Sequence, residues 1–323
     1  MLRLEVAVPA HLADAVVDSL KYSYAISHLS RLRGAAVRPE GDLIIVDVAR
    51  EAVNDIISHL EALDVDHEGT LQLRQVPAWI SKAGLRAEQE APGAGADAVV
   101  WLEVVSRAYD DSELNFTFLS FMTMATLLAG IAIILDSQVL TVGAMVLGPE
   151  FGPIAALGVA LVRRRFGLLR HALRSLAIGF AIAIAVTLVV SLMGRGLGWV
   201  HERDIVVRPA TAFIYSPDRW SVVVALIAAA AGVLSITSAK SGGLSGVFIS
   251  VTTIPAAGNL ALAAAFGNWH EMAGSALQLV INIGCMGLAG WVTLLVQQWV
   301  WSRVDSSSMA PRVSGQQQRH SGE

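Results

Sequence analysis

The first 80 residues alternate between two apolar periods. Leu2, Leu4, Val6 and Val8 repeat every second residue, as in a half-buried strand, and residues 11–21 then place Leu12, Val16, Val17 and Leu20 at helical spacing. A second strand is expected from Ala25 to Leu32, and Gly41-Asp42 opens the turn into the apolar run Leu43 to Val48. Val53, Ile56, Ile57, Leu60 and Leu63 mark a second amphipathic helix, and Thr70 to Val76 alternates again. The order β-α-β-β-α-β predicts a small α+β domain of the ferredoxin-like, split βαβ kind over residues 1–80. Without a phosphate loop or a ligand pair of His or Cys, it fits regulation or assembly better than catalysis.

Residues 81–115 are expected to join this domain to the apolar remainder of the chain. The stretch 87–97 has a linker composition, and Val99, Val100, Leu102, Val104 and Val105 predict a helix reaching about Tyr109. With Trp101 and Tyr109 as interfacial residues this helix leads to a membrane; packing against a partner in an oligomer is the equal alternative.

Beyond Asn115 the apolar runs lengthen. Spans are expected near 116–135, 139–162, 173–193, 220–237, 244–266 and 272–301, each matching the roughly 20 residues a bilayer requires. The prediction is an α-helical polytopic membrane bundle of about six transmembrane helices over 116–303, followed by a disordered tail of Ser, Gln and Gly over 304–323.

Composition agrees: 54% of the 323 residues are hydrophobic, only 15% are charged, and mean hydropathy is +0.57. Charge divides the chain. Residues 1–115 hold 10 Lys and Arg against 19 Asp and Glu, whereas 116–323 hold 13 against 8. An acidic soluble half excludes nucleic acid as a partner, since phosphate contacts need a clustered basic face. The one basic cluster, Arg163, Arg164, Arg165, Arg170 and Arg174, lies between apolar runs. By the positive-inside rule it places a loop 163–172 in the cytoplasm of a plasma (inner) membrane, together with the N-terminus, Lys240 and the C-terminus. The loop 194–219 then lies outside, with Asp204, Arg208, Asp218 and Arg219 solvated.

Several chemistries find no support. Cys285 is the single cysteine, and the start MLRLEVAVPAHLAD meets charge too soon for a signal peptide. The histidines are scattered, and no nucleophile elbow, Walker loop or dinucleotide fingerprint occurs, so neither an enzyme, a metal site nor a cofactor is expected.

The second span carries the candidate chemistry. Pro149 and Pro153 remove backbone donors, Gly148 and Gly152 loosen the helix, and Glu150 stands between them. Irregular backbone at membrane depth survives only where protein or a water-filled cavity covers it. An ionisable group there costs about 2.5 kcal/mol or more and faces the bundle interior. Glu150 is therefore a candidate proton or cation site, or half of a buried ion pair; the alternative is a structural kink satisfied by a neighbouring helix. The fifth span repeats the theme with Thr252, Thr253, Pro255, Gly258 and Asn259, where close packing of small residues is the competing explanation. An offset of 102 aligns Pro153 with Pro255 and Glu150 with Thr252, as two inverted three-helix repeats would, and it lets Glu150 meet the Thr252-Thr253 pair. Asp136 and Lys240 end the preceding helices on opposite sides, as secondary candidates or interfacial anchors.

The stretches Ser112 to Pro153 and Ser238 to Asn259 resemble the DUF389 family of prokaryotic membrane proteins. The resemblance rests on Leu135-Asp136-Ser137, Gly143-Ala144-Met145, Pro149 and Gly152-Pro153, then on Ser241-Gly242-Gly243 and Ile254-Pro255. It implies a bacterial or archaeal inner membrane protein of unsettled activity. Members usually have two apolar residues where this chain has Glu150-Phe151. The expected function is a transporter or channel for a small solute or ion, assembled as a homo-oligomer in the lipid bilayer; the alternative is a non-transporting scaffold or sensor.

Overall fold

A computed structural model of the chain describes residues 1–91, 98–203, 208–211, 214, 219–237 and 253–309. The chain divides into two compact units, one built mainly from Met1–Val104 and the other from Val105–Ile236 and Lys240–Gln297.

In the first unit, strand β1 (Leu2–Pro9) leads into helix α1 (Ala10–Leu20), then β2 (Ile26–Val37), β3 (Glu40–Val48), α2 (Val53–Glu61), a single turn α3 (Val65–Glu68) and β4 (Thr70–Gln75). All pairings are antiparallel, in the order β2-β3-β1-β4. The period-two pattern explains the layering. Leu2, Leu4, Val6 and Val8 are buried and face Val16 and Leu20 of α1 and Val53, Ile56 and Leu60 of α2 in one core. Strand β2 runs five residues past its expected end. Asp42 of β3 accounts for this: it accepts Arg31 Nε at 2.6 Å and the Gly34 amide at 2.9 Å, so the polar arm stays on the sheet through a register shift. The Gly34 amide and the Arg31 guanidinium hold the Asp42 carboxyl below its ordinary value.

The expected linker 87–97 begins later than its composition suggests. Ser81 caps helix α4 (Lys82–Glu90), accepting the Gly84 amide at 3.1 Å, and residues 92–97 lie outside those described. Asn54 then fixes the entry to α5 (Trp101–Asp111): its Oδ1 accepts the Trp101 amide and its Nδ2 donates to the Val99 carbonyl.

The second unit is helical. It contains α6 (Phe116–Ile134), α7 (Gln138–Leu147), α8 (Phe151–Val162), α9 (Phe166–Gly196), α10 (Arg219–Thr237), α11 (Thr253–Phe266) and α12 (Trp269–Met309). Among the described residues three helices are long and apolar enough to cross a membrane: α6, α9 and the Trp269–Val300 part of α12. The pair α7 and α8 makes a fourth if counted as one bent span. The protein is therefore a multi-pass membrane protein with an α+β unit of four antiparallel strands before its apolar helices. Exposed Phe121, Ile131, Val186, Val189, Val280 and Val292 give α6, α9 and α12 outward apolar faces.

The described residues thus hold three or four spans where six are expected. Helix α10 carries a shorter apolar stretch, Val222–Leu234, and the expected fifth span is described only from Thr253. Helix α9 absorbs most of the expected loop 163–172. Leu168, Ala172, Ser175 and Leu176 hold a buried helical face there while Arg170 and Arg174 stay exposed, leaving only Arg163–Arg165 between helices. At the other end, α12 continues through Met309, so the first residues of the expected disordered tail are helical; 310–323 lie outside the described residues.

Candidate functional site

The site grows from the break between α7 and α8, which are bent by 56°. The break occupies Gly148-Pro149-Glu150 only. Gly148 is extended (ψ 126°), and Pro149 has no N–H to continue the ladder. Pro153, expected to be part of the break, is instead the third residue of α8, where a missing N–H costs nothing because first-turn donors have no partner inside the helix. Pro255 is likewise the third residue of α11. Gly152 is required by crowding: a Cβ there would stand 2.6 Å from Asp111 Cβ.

Glu150, at the N-terminal edge of α8, is 0% exposed. Thr253, the first residue of α11 and also fully buried, donates its hydroxyl to Glu150 Oε1 at 2.7 Å. A side-chain hydrogen bond thus ties α11 to the carboxylate at the start of α8. The sequence contains no other Asp or Glu in 137–201, 219–270 or 272–304.

Six residues further along α11, buried Asn259 joins a second polar group. Its Oδ1 accepts Arg208 Nη1 at 2.6 Å and its Nδ2 donates to Ser275 Oγ of α12 at 2.7 Å. Arg208 also pairs with Glu271 at the start of α12. Arg208 was expected to be solvated in an outer loop; it is 2% exposed. The fold pulls it in because Asp136 accepts the Ala210 and Thr211 amides and the Thr211 hydroxyl, while Glu271 and Asn259 supply the acceptors a buried guanidinium needs. Asp136, a secondary candidate or interfacial anchor from the sequence, here holds residues 210–211. Arg195 Nη1 donates to the Ala265 carbonyl at 2.6 Å, placing a cation at the C-terminus of α11.

Helix α12 supplies residues that sequence reasoning overlooked. Glu271, Ser275, Gln278 and Asn282 are all buried on one face, at steps of four, three and four. Attention to the proline-marked spans passed over this period, although it is visible as isolated polar letters in an apolar segment. Further along, the buried face becomes Met286, Ala289, Gly290 and Leu294. There it closes tightly on α8: a Cβ on Gly158 would lie 2.9 Å from the Gly290 carbonyl carbon and 3.0 Å from the Trp291 amide.

Of the residues singled out from sequence, Glu150 and Thr253 meet directly, Asn259 enters the Arg208 network, and Pro149, Gly152, Pro153 and Pro255 shape the helix starts. Thr252 and Lys240 lie outside the described residues.

Residues 145–288 match the profile of DUF389, a domain of unknown function. The chain carries a DUF389 domain. No curated protein and no solved structure matches it. The DUF389 region opens in the last turn of α7 and closes at Leu288 of α12, so it includes the whole polar set from Glu150 to Asn282 and leaves out Asp136.

Elsewhere, a half-open cavity of about 310 Å³ lies in the first unit, lined by Arg3, Ser27, His28, Asp47 and Trp79; Arg3 and Asp47 satisfy each other through two hydrogen bonds. Asp64, Asp66 and His67 gather potential ligand atoms within 4.8 Å at an exposed turn.

Proposed function

We propose that the helical unit is a transporter or channel for a small solute or ion, and that its polar route passes Glu150 at the break before α8 and Thr253 at the start of α11. The observation that carries this reading is the 2.7 Å hydrogen bond between two fully buried groups at the starts of two proline-marked helices. Discontinuous helices whose ends converge on polar groups are how membrane proteins build substrate and ion sites without exposing backbone to lipid. The matching third-position prolines of α8 and α11 support an inverted repeat, with the halves related at an offset of 102. The strand order β2-β3-β1-β4 supports a ferredoxin-like domain, which we assign to the cytoplasmic side as a regulatory or assembly module of a homo-oligomer.

The test uses full-length protein in proteoliposomes, challenged with small inorganic ions and neutral solutes, with release read by light scattering and current. Wild type should pass at least one species that protein-free vesicles retain. Glu150→Gln should cut that flux at least tenfold while eluting as the same oligomer. No permeation by wild type, or equal flux in the variant, sinks the reading and leaves a non-transporting scaffold.

A further inference from the structure

The polar face of α12 stops at a definite depth, and that depth is Glu150's. Helix α9 runs from the Arg165 end of the bundle to Arg195, which reaches Ala265 at the end of α11. Helix α12 starts beside that end, after the turn at Gly267 (φ +72°), and runs back along α11 in the opposite sense, as the Asn259–Ser275 pairing across the turn shows. Two cross-ties then fix the levels. Gly158 of α8 meets Gly290 of α12, and Glu150 lies eight residues before the first as Asn282 lies eight before the second. Asn259 of α11 meets Ser275 of α12; Thr253 lies six residues deeper and Asn282 seven. At 1.5 Å per residue the second count brings Asn282 to within about 2 Å of the level of Thr253, the residue bonded to Glu150, and the equal spacing of the first agrees with it.

Asn282 also lies on the face of α12 that is turned to α11. Seven residues are two helical turns, so it shares the face from which Ser275 reaches α11. Its carboxamide is fully buried, and neither its oxygen nor its nitrogen makes a hydrogen bond among the described residues; Gln278 Oε1, one turn nearer the Arg208 end, is in the same condition. Burying an amide without partners costs roughly 1–3 kcal/mol. A helix face that keeps two such groups in line with a buried carboxylate resembles a ligand shell.

Resting on the transport reading above, we infer that Asn282 and Gln278 complete the Glu150–Thr253 site and that this site takes a small monovalent cation. Carboxylate, hydroxyl and carboxamide oxygens suit a hard cation, and one carboxylate among neutral donors matches a single positive charge. On this reading, a route from the site to the Arg208–Glu271 end would pass Gln278, Ser275 and Asn259. In the other direction the apolar contact of Gly158 with Gly290 forms its floor.

The experiment is thermal unfolding of the full-length protein in detergent, in NaCl or KCl against N-methyl-D-glucamine chloride at equal ionic strength. Wild type should gain several degrees, saturably, with Na⁺ or K⁺, and Glu150→Gln should lose the gain. Asn282→Leu separates a ligand from a structural amide: it should melt higher than wild type in the organic salt, because an unpartnered amide has been removed, yet show no increment with Na⁺ or K⁺. Should Asn282→Leu keep the full increment while Glu150→Gln loses it, Asn282 is not in the site, though transport through Glu150 stands. Should neither salt move wild type, the cation assignment is overturned, and the flux comparison of Glu150→Gln decides the transport reading separately.

Discussion

Arg208 illustrates how a residue's environment is set by partners far along the chain. Its acceptors, Asn259 and Glu271, lie 51 and 63 residues away, and the segment carrying it is held by Asp136. Charge and loop length alone put it in water, so its burial was not legible. Glu150 and Thr253 were legible, because an acid between prolines and a hydroxyl beside a proline stand out in apolar text. The offset of 102 that pairs the two prolines sets Glu150 against Thr252, next to the Thr253 it meets. The buried pair leads to a measurable asymmetry. Arg208→Met alone should lower stability by about 3–5 kcal/mol, since Glu271 is left charged and unpaired, whereas Arg208→Met with Glu271→Leu should recover most of the loss. A double-mutant cycle in mild detergent reads this directly; additive losses would mean that the two side chains act independently.

Helices record which sequence signals carry weight. Proline pairs suggested a break over 148–153, but only Gly148-Pro149-Glu150 breaks, because a proline in the first turn of a helix forfeits no bond. Periodicity placed the strands well and misjudged β2, whose last residues stay paired through the side chain of Asp42 rather than through their own hydrophobicity. The α8–α12 crossing was invisible from spacing, since two glycines meet across 132 positions of chain. Gly158→Ala should cost about 1–3 kcal/mol through overpacking against backbone. Gly284→Ala on the same α12, where a Cβ would meet nothing within 4 Å, should be neutral or stabilising by up to about 1 kcal/mol. Thermal melts of the two variants side by side check the difference, and equal effects would show that the close approach is not limiting.

For the molecule as a whole, an acidic α+β unit precedes an apolar helical one. The antiparallel sheet needs water on its polar edges, whereas α6, α9 and α12 turn valine, isoleucine and phenylalanine outward as lipid allows. Both were legible because burial pattern and composition change together near Asn115. The number of crossings was less so: among the described residues the apolar stretches of α10 and α11, Val222–Leu234 and Thr253–Phe266, are shorter than a bilayer requires. The arginines at 163–165, with Arg170 and Arg174 on the first turns of α9, predict that both termini share the cytoplasmic face. Cysteines placed at exposed Tyr22 and in the 310–323 tail, in a Cys285→Ala background, should react with a membrane-impermeant maleimide only in inside-out vesicles. Labelling of either from the outer face would reverse the orientation.

The contact of Gly158 with Gly290 also sets a timescale. A constriction closed by side chains opens by rotamer changes within nanoseconds, but here backbone rests on backbone and no side chain can swing aside. Passage between α8 and α12 towards the arginine end requires whole helices to part, a motion of microseconds to milliseconds. On the transport reading proposed above, such a contact favours a slow carrier that exposes its cargo to one side at a time over an open pore.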